Sequence, residues 1–148
     1  MFRKLSAVVV LLLLILGLAA CQDQRPVLQT DLDGFEYFEY RIADSFADIT
    51  PSEGNRLFLV YIKPQDHSDP SEKDLYPYFV EGGDYQEPAV LSDGTNQYEC
   101  LSIGYQFSEN GRNAFGVLLF DVPADLPQAQ LTLTAPNGNT LALPQRDN

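Results

Sequence analysis

His67, the one histidine of the chain, lies in the polar segment "KPQDHSDPSEKDLY". Nucleophilic catalysis of the Ser–His–acid type needs a histidine as general base, so His67 is the single candidate for that role. Segments that contain proline and this many charges form solvated surface loops, which hold a catalytic base poorly in a fixed geometry. We therefore expect His67 to be a plain surface residue and the protein not to be an enzyme.

The same segment carries a density of carboxylates that could surround a hard cation. Ca²⁺ takes about six to eight oxygen ligands. The spacing lacks the D-x-D-x-D-G order of an EF-hand loop, and Lys73 reduces the negative charge. A zinc site needs several nitrogen or sulfur ligands, which His67 and one strand cysteine do not provide. We predict a solvated loop with no metal and no other cofactor; the Ca²⁺ alternative would use Asp66, Asp69, Glu72 and Asp74.

Aromatic side chains are abundant, but Trp, which stacks best on sugars, is absent. Most aromatic residues of a β domain fill its core. The segment "DLYPYFVEGG" differs, because Pro77 and the flanking polar loops are typical of an exposed edge or an irregular strand. An exposed sheet edge can accept a strand from another protein. The predicted partner-binding edge therefore comprises Tyr76, Tyr78 and Phe79.

The second cysteine, Cys100, lies in the alternating segment "QYECLSIGYQF". The alternation places four apolar residues on one face of a strand, namely Leu101, Ile103, Tyr105 and Phe107. Cys100 would share the opposite face with Ser102, Gly104 and Gln106. We predict a small packed thiol, with a reactive or intermolecular thiol as the alternative.

The N-terminus, "MFRKLSAVVVLLLLILGLAAC", predicts where the protein is located. Arg3 and Lys4 form a short cationic start, and an apolar stretch runs from Ala7 to Ala20. This is the layout of a secretory signal. The stretch is shorter than the roughly 20 apolar residues that a membrane-spanning helix needs. Residues 1–20 are therefore predicted to be a cleaved signal peptide, with an uncleaved anchor as the alternative.

The end of that segment, Leu18 to Cys21, resembles the lipobox of bacterial lipoproteins, Leu-(Ala/Ser)-(Ala/Gly)-Cys. The resemblance implies cleavage between Ala20 and Cys21 and a diacylglycerol on the Cys21 thiol, whose acyl chains (palmitate, for example) attach the protein to a membrane. It implies a bacterial cell-envelope location. Gln22 follows the cysteine, which favours the periplasmic side of the outer membrane in a Gram-negative cell; otherwise the location is the outer face of the plasma membrane.

Length and charge narrow the classes of protein further. The 148 residues suffice for one domain with a substantial core. The formal net charge is −12, and loss of Arg3 and Lys4 with the signal makes it −14. Such an acidic surface repels nucleic acid and anionic headgroups and favours solubility. No nucleic-acid partner is expected.

After a polar tether, residues 21–33, the chain divides into short apolar segments separated by turn signals. "RLFLVYIK" (residues 56–63) and "AFGVLLFDV" (residues 114–122) are apolar on both faces, as central strands are. "AQLTLTAPNGNTLALP" is typical of a hairpin, with Asn137 and Gly138 in a type I′ turn. No sustained helical period follows the tether. Seven or eight strands predict an all-β sandwich over residues 34–148.

The sequences of two of these strands resemble the strand pattern of the DUF4352 group of secreted and lipid-anchored bacterial proteins. The matching positions alternate along an early strand and a late, glycine-led strand: Phe58, Val60 and Ile62, then Gly116, Leu118, Phe120, Val122 and Pro123. The early strand departs from the group by ending in Lys63-Pro64, where an Asn and a turn are usual. The resemblance covers about residues 35–144. It implies an immunoglobulin-like (telokin-like) sandwich and no activity.

These features predict a lipid-anchored envelope protein that acts as a non-enzymatic binding or accessory module. Its expected partners are the membrane, through the lipid on Cys21, and another envelope protein. Two alternatives stay open: a Ca²⁺-dependent structural protein and an enzyme that acts on the cell wall.

Overall fold

A computed structural model describes residues 32–108, 111, 113–127 and 130–144. In this part of the chain eight strands form two antiparallel four-stranded sheets packed together, which confirms the predicted all-β sandwich of immunoglobulin-like architecture. The strands are β1 (Phe35–Ala43), β2 (Asn55–Pro64), β3 (Val90–Ser92), β4 (Gln97–Glu99), β5 (Ser102–Phe107), β6 (Ala114–Pro123), β7 (Thr132–Thr134) and β8 (Thr140–Ala142). The helical elements are α1 (Tyr76–Phe79) and two 3₁₀ turns, Pro70–Glu72 and Gly83–Tyr85.

The two sheets differ in length. The long sheet has the order β1-β2-β6-β5, and its central strands β2 and β6 have 10 residues each. The short sheet has the order β4-β3-β7-β8, and its strands have 3 residues each. The short sheet therefore covers only part of the long one. The segment that includes α1 covers more of it, because a Cβ added at Gly116 of β6 would lie 2.9 Å from Cδ1 of Leu75.

The inner core lies between the sheets and takes alternate residues of β2 and β6. Fully buried side chains from the long sheet pack on Leu91, Leu133 and Leu141 of the short sheet. Tyr40 stacks on Phe58 at a ring-centroid distance of 4.7 Å. The long-sheet residues are Phe58, Val60, Ile62, Leu118, Phe120 and Val122.

The other face of β2 and β6 is also covered, which explains why both strands are apolar on both faces. A second cluster lies on this outer face and contains Leu57, Leu59, Tyr61, Phe115, Val117 and Leu119. The loop between β1 and β2 packs on it through Phe46 and Ile49, which pair with each other in an isolated bridge. The Phe46 ring lies against Gly104 of β5, because a Cβ at residue 104 would overlap Cε1 of that ring. Gly104 therefore makes room for the side chain that covers the outer cluster.

The segment "YPYF", predicted as an exposed or irregular strand, is instead the helix α1. Pro77 lies in its first turn, where a missing backbone N–H costs no hydrogen bond. Leu75 and Phe79 are four residues apart, so one helical turn buries both on the same side. The strand prediction was wrong because a single turn is too short to produce a helical period in the sequence.

Two further details of the prediction are corrected. Asn137 does not have a positive φ, whereas Gly138 has a φ of +83°, so the turn between β7 and β8 is not type I′. Pro136, with its fixed negative φ, directs the chain into a different turn. Leu32, assigned to the tether, is fully buried in the inner core, so the folded domain includes it.

The turn between β3 and β4 makes folding stability depend on pH. The carboxylate of Asp93 accepts the N–H groups of Asn96 (2.7 Å) and Thr95 (2.8 Å). The Asn96 N–H, the side chain of Asn96 and the Thr95 N–H together hold the pKa of Asp93 at about 2. An unfolded Asp titrates near a pKa of about 3.9, so this contribution is complete above that pH and is lost as the pH falls toward 2.

As the pH is lowered from 4 to 2, we expect the urea midpoint of the wild type to decrease, and that of Asp93→Asn to decrease less. The Asn side chain keeps the acceptor oxygen but does not titrate in this range. Urea melts at a series of pH values test this, with Asp125→Asn as a control carboxylate. An equal slope in wild type and Asp93→Asn would show that Asp93 does not contribute.

Candidate functional site

The two sheets end in four edge strands, and three of these edges are protected against pairing with another chain. β4 and β8 are only 3 residues long. β1 is interrupted by a bulge between Tyr37 and Glu39 and carries charged residues along its length. Short length, bulges and charges are the usual devices against strand addition.

The fourth edge strand, β5, has none of these devices. It contains 6 residues, SIGYQF, without a charge or a proline. Its ladder with β6 runs without a register shift from Ser102 opposite Leu119 to Phe107 opposite Ala114. The sheet order places no described strand on its other side. β5 is therefore the edge that is open to an added strand.

The hydrogen-bond phase shows which main-chain groups of β5 point outward. In an antiparallel pair, hydrogen-bonded and non-hydrogen-bonded residue pairs alternate. The N–H of Ser108 donates to the carbonyl of Asn113 at 2.8 Å, so this pair is of the bonded kind and fixes the phase for the register that precedes it. It follows that Ser102, Gly104 and Gln106 bond to β6. The alternate residues are Ile103, Tyr105 and Phe107. Their N–H and C=O groups point away from the sheet.

The side chains of these outward-bonding residues form an exposed apolar row. Phe107 is 55% exposed and Tyr105 39%, while Ile103 packs against the inner core at the margin of the short sheet. Leu101, just before β5, is also exposed, but its N–H donates to the carbonyl of Leu119 in β6 at 2.8 Å. The row is exposed because the short sheet does not reach it. We call the outward main-chain groups of β5 together with this row the β5 edge.

The opposite face of β5 is occupied by the protein itself. The Phe46 ring lies over Gly104. The hydroxyl of Tyr61 donates to Oε1 of Gln106 at 2.7 Å. These contacts fix β5 in the sheet from the outer side, so the strand is held in place while its edge stays open.

Helix α1 lies against β5, so the residues predicted from the sequence lie beside the β5 edge. The hydroxyl of Tyr105 donates to the carbonyl of Lys73 at 3.2 Å. Tyr76 is exposed, but Phe79 is fully buried and stacks edge-on against Phe35. Tyr78 is half-buried, and desolvation followed by the neighbouring Asp33 raises its pKa. Of the three residues chosen from the sequence, Tyr76 is therefore the one with a largely exposed side chain.

A cleft of about 360 Å³ adjoins the end of the β5 edge. Its lining includes Phe107, His67 and Asp69, and it lies between the loop after β2 and the start of β6. Lys63 donates to Oδ1 of Asn113 at 3.1 Å across the cleft and lies 5.2 Å from the Phe115 ring centroid. His67 is exposed and has a φ of +59°, in the left-handed region that few residues other than glycine adopt. No described acid or hydroxyl group is hydrogen-bonded to its imidazole.

The carboxylates of the 66–74 loop bond to their own neighbours. Asp66 accepts the Ser68 hydroxyl at 2.6 Å and Nζ of Lys73 at 3.2 Å. The Ser68 hydroxyl and N–H, followed by Lys73, lower the pKa of Asp66 to about 2. Asp69 accepts the hydroxyl of Ser71 at 2.7 Å, and that serine lowers its pKa. Across the described ranges, no three His, Cys, Asp or Glu side chains are grouped to hold an ion.

Cys100 lies where the chain crosses from the short sheet to the long sheet. The sequence placed it on the face of Ser102, but the crossing between β4 and β5 turns its side chain into the inner core. It is 3% exposed, and its thiol donates to the carbonyl of Ser102 at 3.5 Å. Burial raises the pKa of the thiol to about 12.

We expect Cys100 to react with an aromatic disulfide reagent about a thousandfold more slowly in the native protein than in urea at pH 8. Burial excludes the reagent, and the raised pKa reduces the thiolate that reacts. The measurement uses Cys21→Ser, in which Cys100 is the one thiol. Fast stoichiometric labelling of the native protein would show that the thiol is accessible.

The fold and the β5 edge define an antiparallel β-sandwich of immunoglobulin-like architecture with one open edge strand. Comparisons of the chain with protein-family models, with curated proteins and with solved structures find no match. Within the described residues no helix has the length and apolar character needed to cross a membrane. Ala20, Cys21 and the rest of the predicted signal peptide and tether up to residue 31 lie outside the described residues.

Proposed function

We propose that the protein is a non-enzymatic binding module of the bacterial cell envelope, anchored by lipid on Cys21, which binds another envelope protein through the β5 edge. The observation that carries the binding role is that β5, unlike the other three edges, combines six residues without a charge with an unshifted ladder from Ser102 to Phe107. A long, uncharged and apolar edge promotes aggregation of a soluble domain unless a partner covers it. The lipobox resemblance supports the anchor, and the DUF4352 resemblance fits a lipid-anchored sandwich.

Binding is favoured over catalysis by the chemistry of the residues around the edge. The edge offers main-chain donors and acceptors with apolar side chains, which is what strand addition uses. Among the described residues, no hydrogen bond joins His67 to the acid and the nucleophile that a catalytic base requires. The carboxylates next to it bond to adjacent serines rather than to one another.

The anchor is tested by labelling cells with radioactive palmitate. We expect the wild type to incorporate the label and to sediment with membranes, and Cys21→Ser to do neither, because the thiol is the acceptor of the lipid. Cys100→Ser is the matched control and is expected to behave as wild type. Labelling of Cys21→Ser would contradict the anchor.

The binding role is tested in living cells with a photo-cross-linking amino acid at residue 107. We expect it to capture a specific envelope protein. The same amino acid at Thr140, on the short edge strand β8, is the control and should capture nothing specific. Identical capture patterns from both positions, or none from residue 107, would contradict binding through β5.

A further inference from the structure

We infer that the β5 edge takes an extended, basic segment of its partner as an added strand, with apolar side chains at alternate positions of that segment. This inference rests on the proposed function and names the chemistry of the partner. Three independent features of the edge carry it: main-chain groups, side chains and charge.

The main-chain groups require an extended segment. Ile103, Tyr105 and Phe107 direct their N–H and C=O groups outward at every second residue of a ladder without register shifts. A strand repeats its own outward groups with the same period, whereas a helix satisfies its groups internally. Only a segment in the β conformation can therefore pair with all of them.

The side chains require apolar residues at alternate positions. Residues directly opposite each other on neighbouring strands place their side chains on the same face. The residues opposite Ile103, Tyr105 and Phe107 would contact the exposed apolar row. The intervening residues would face the outer side, beside Gln106 and the Phe46 ring.

The acidic residues around the edge favour a basic segment. β5 itself is uncharged, but exposed acidic residues flank it: Glu99 just before it, and Glu72 and Asp74 on either side of the Lys73 carbonyl that Tyr105 binds. Lys73 is paired with Asp66. These local charges agree with the net charge of −12, which attracts a cationic partner and repels a second copy of this chain.

The first experiment measures backbone amide exchange by NMR on the full chain purified in detergent. The probe is the peptide Lys-Val-Lys-Val-Lys-Val-Lys, and its controls are the Glu-Val analogue and an analogue N-methylated at alternate residues. In the free protein we expect fast exchange at Ile103, Tyr105 and Phe107 and slow exchange at Gly104 and Gln106.

The Lys-Val peptide is expected to slow exchange at the three fast positions by at least about tenfold, because added hydrogen bonds protect these amides. Neither control peptide should do so. No protection by the Lys-Val peptide, or equal protection by the Glu-Val peptide, overturns the inference.

The second experiment tests the sign of the charge with two variants of one exposed residue. Leu101 directly precedes β5 and is exposed, so Leu101→Glu and Leu101→Lys place opposite charges at the same point beside the edge. We expect Leu101→Glu to bind the Lys-Val peptide about tenfold more tightly than Leu101→Lys at low salt, with the difference reduced at high salt. Equal affinities, or the reverse order, overturn the basic partner.

Failure of the inference is distinguishable from failure of the proposed function. A specific capture from residue 107 in cells without peptide protection would leave the binding module intact and reject the basic strand. Peptide protection without any capture would leave the edge chemistry intact and reject the envelope-binding role. A concentration-dependent dimer that Phe107→Lys abolishes would identify a second copy as the occupant and overturn the inference.

Discussion

Phe58→Ala is expected to lower the free energy of unfolding by about 3–5 kcal/mol. Phe58 is fully buried in the centre of β2, lies opposite Phe120 in the ladder and stacks on Tyr40. Its removal loses the transfer free energy of the ring, leaves a cavity between two sheets that cannot close over it, and breaks an aromatic pair. Small domains are stable by only about 5–15 kcal/mol, so the variant is expected to approach the limit of folding.

The measurement is urea unfolding followed by Tyr fluorescence. Phe107→Ala is the matched control, because it removes the same side chain from a position that is 55% exposed. We expect the control to lower the free energy of unfolding by less than about 1 kcal/mol with an unchanged slope. Equal losses for the two variants would mean that Phe58 does not lie in the inner core.

Gly104→Ala is expected to lower the free energy of unfolding by about 1–3 kcal/mol. Alanine normally stabilises a strand interior relative to glycine, so the expected change in stability has the opposite sign to that at a strand position where the methyl group meets no neighbour. The added Cβ would overlap Cε1 of Phe46 and lie 2.7 Å from its Cζ, so the ring must move. Its movement uncovers the outer cluster, which contains Val117 and Leu119.

A double-mutant cycle with Phe46→Ala checks this cause. Phe46→Ala alone should destabilise, since it uncovers the same cluster. In the Phe46→Ala background the Gly104→Ala change is expected to be neutral or to stabilise by about 0.5–1 kcal/mol, because nothing then opposes the methyl group. A penalty that stays the same in both backgrounds would show that Phe46 is not the obstacle.

The residues of β2, β6 and β5 show how far local pattern predicts this fold. β2 and β6 are apolar on both faces, and this correctly predicted two central strands. The alternation correctly placed Ile103, Tyr105 and Phe107 on one face of a strand, whereas Leu101 lies before β5, where its N–H bonds to the carbonyl of Leu119. The alternation did not show that this face is only partly covered, because coverage depends on the length of the opposite sheet.

The segment chosen from the sequence as a binding edge is a helix for a physical reason. Pro77 marks a place where a backbone N–H is not needed, and both an edge strand and the first turn of a helix meet that condition. Leu75 packs against β6 and Phe79 against β1, and the helix is the conformation that buries both side chains. The signal that could have identified β5 is the absence of any charge or proline from "SIGYQF".

The sequence by itself determined the all-β class, the two central strands and the positions of most turns, because these follow from side-chain alternation and from residues that favour turns. The resemblance of Leu18 to Cys21 to a lipobox also predicts an anchor without reference to any fold. Three features depend on packing between distant residues: which strands are edges, the inward turn of Cys100 between the sheets, and the position of Phe46 over Gly104. No local pattern specifies which distant partner each strand will find.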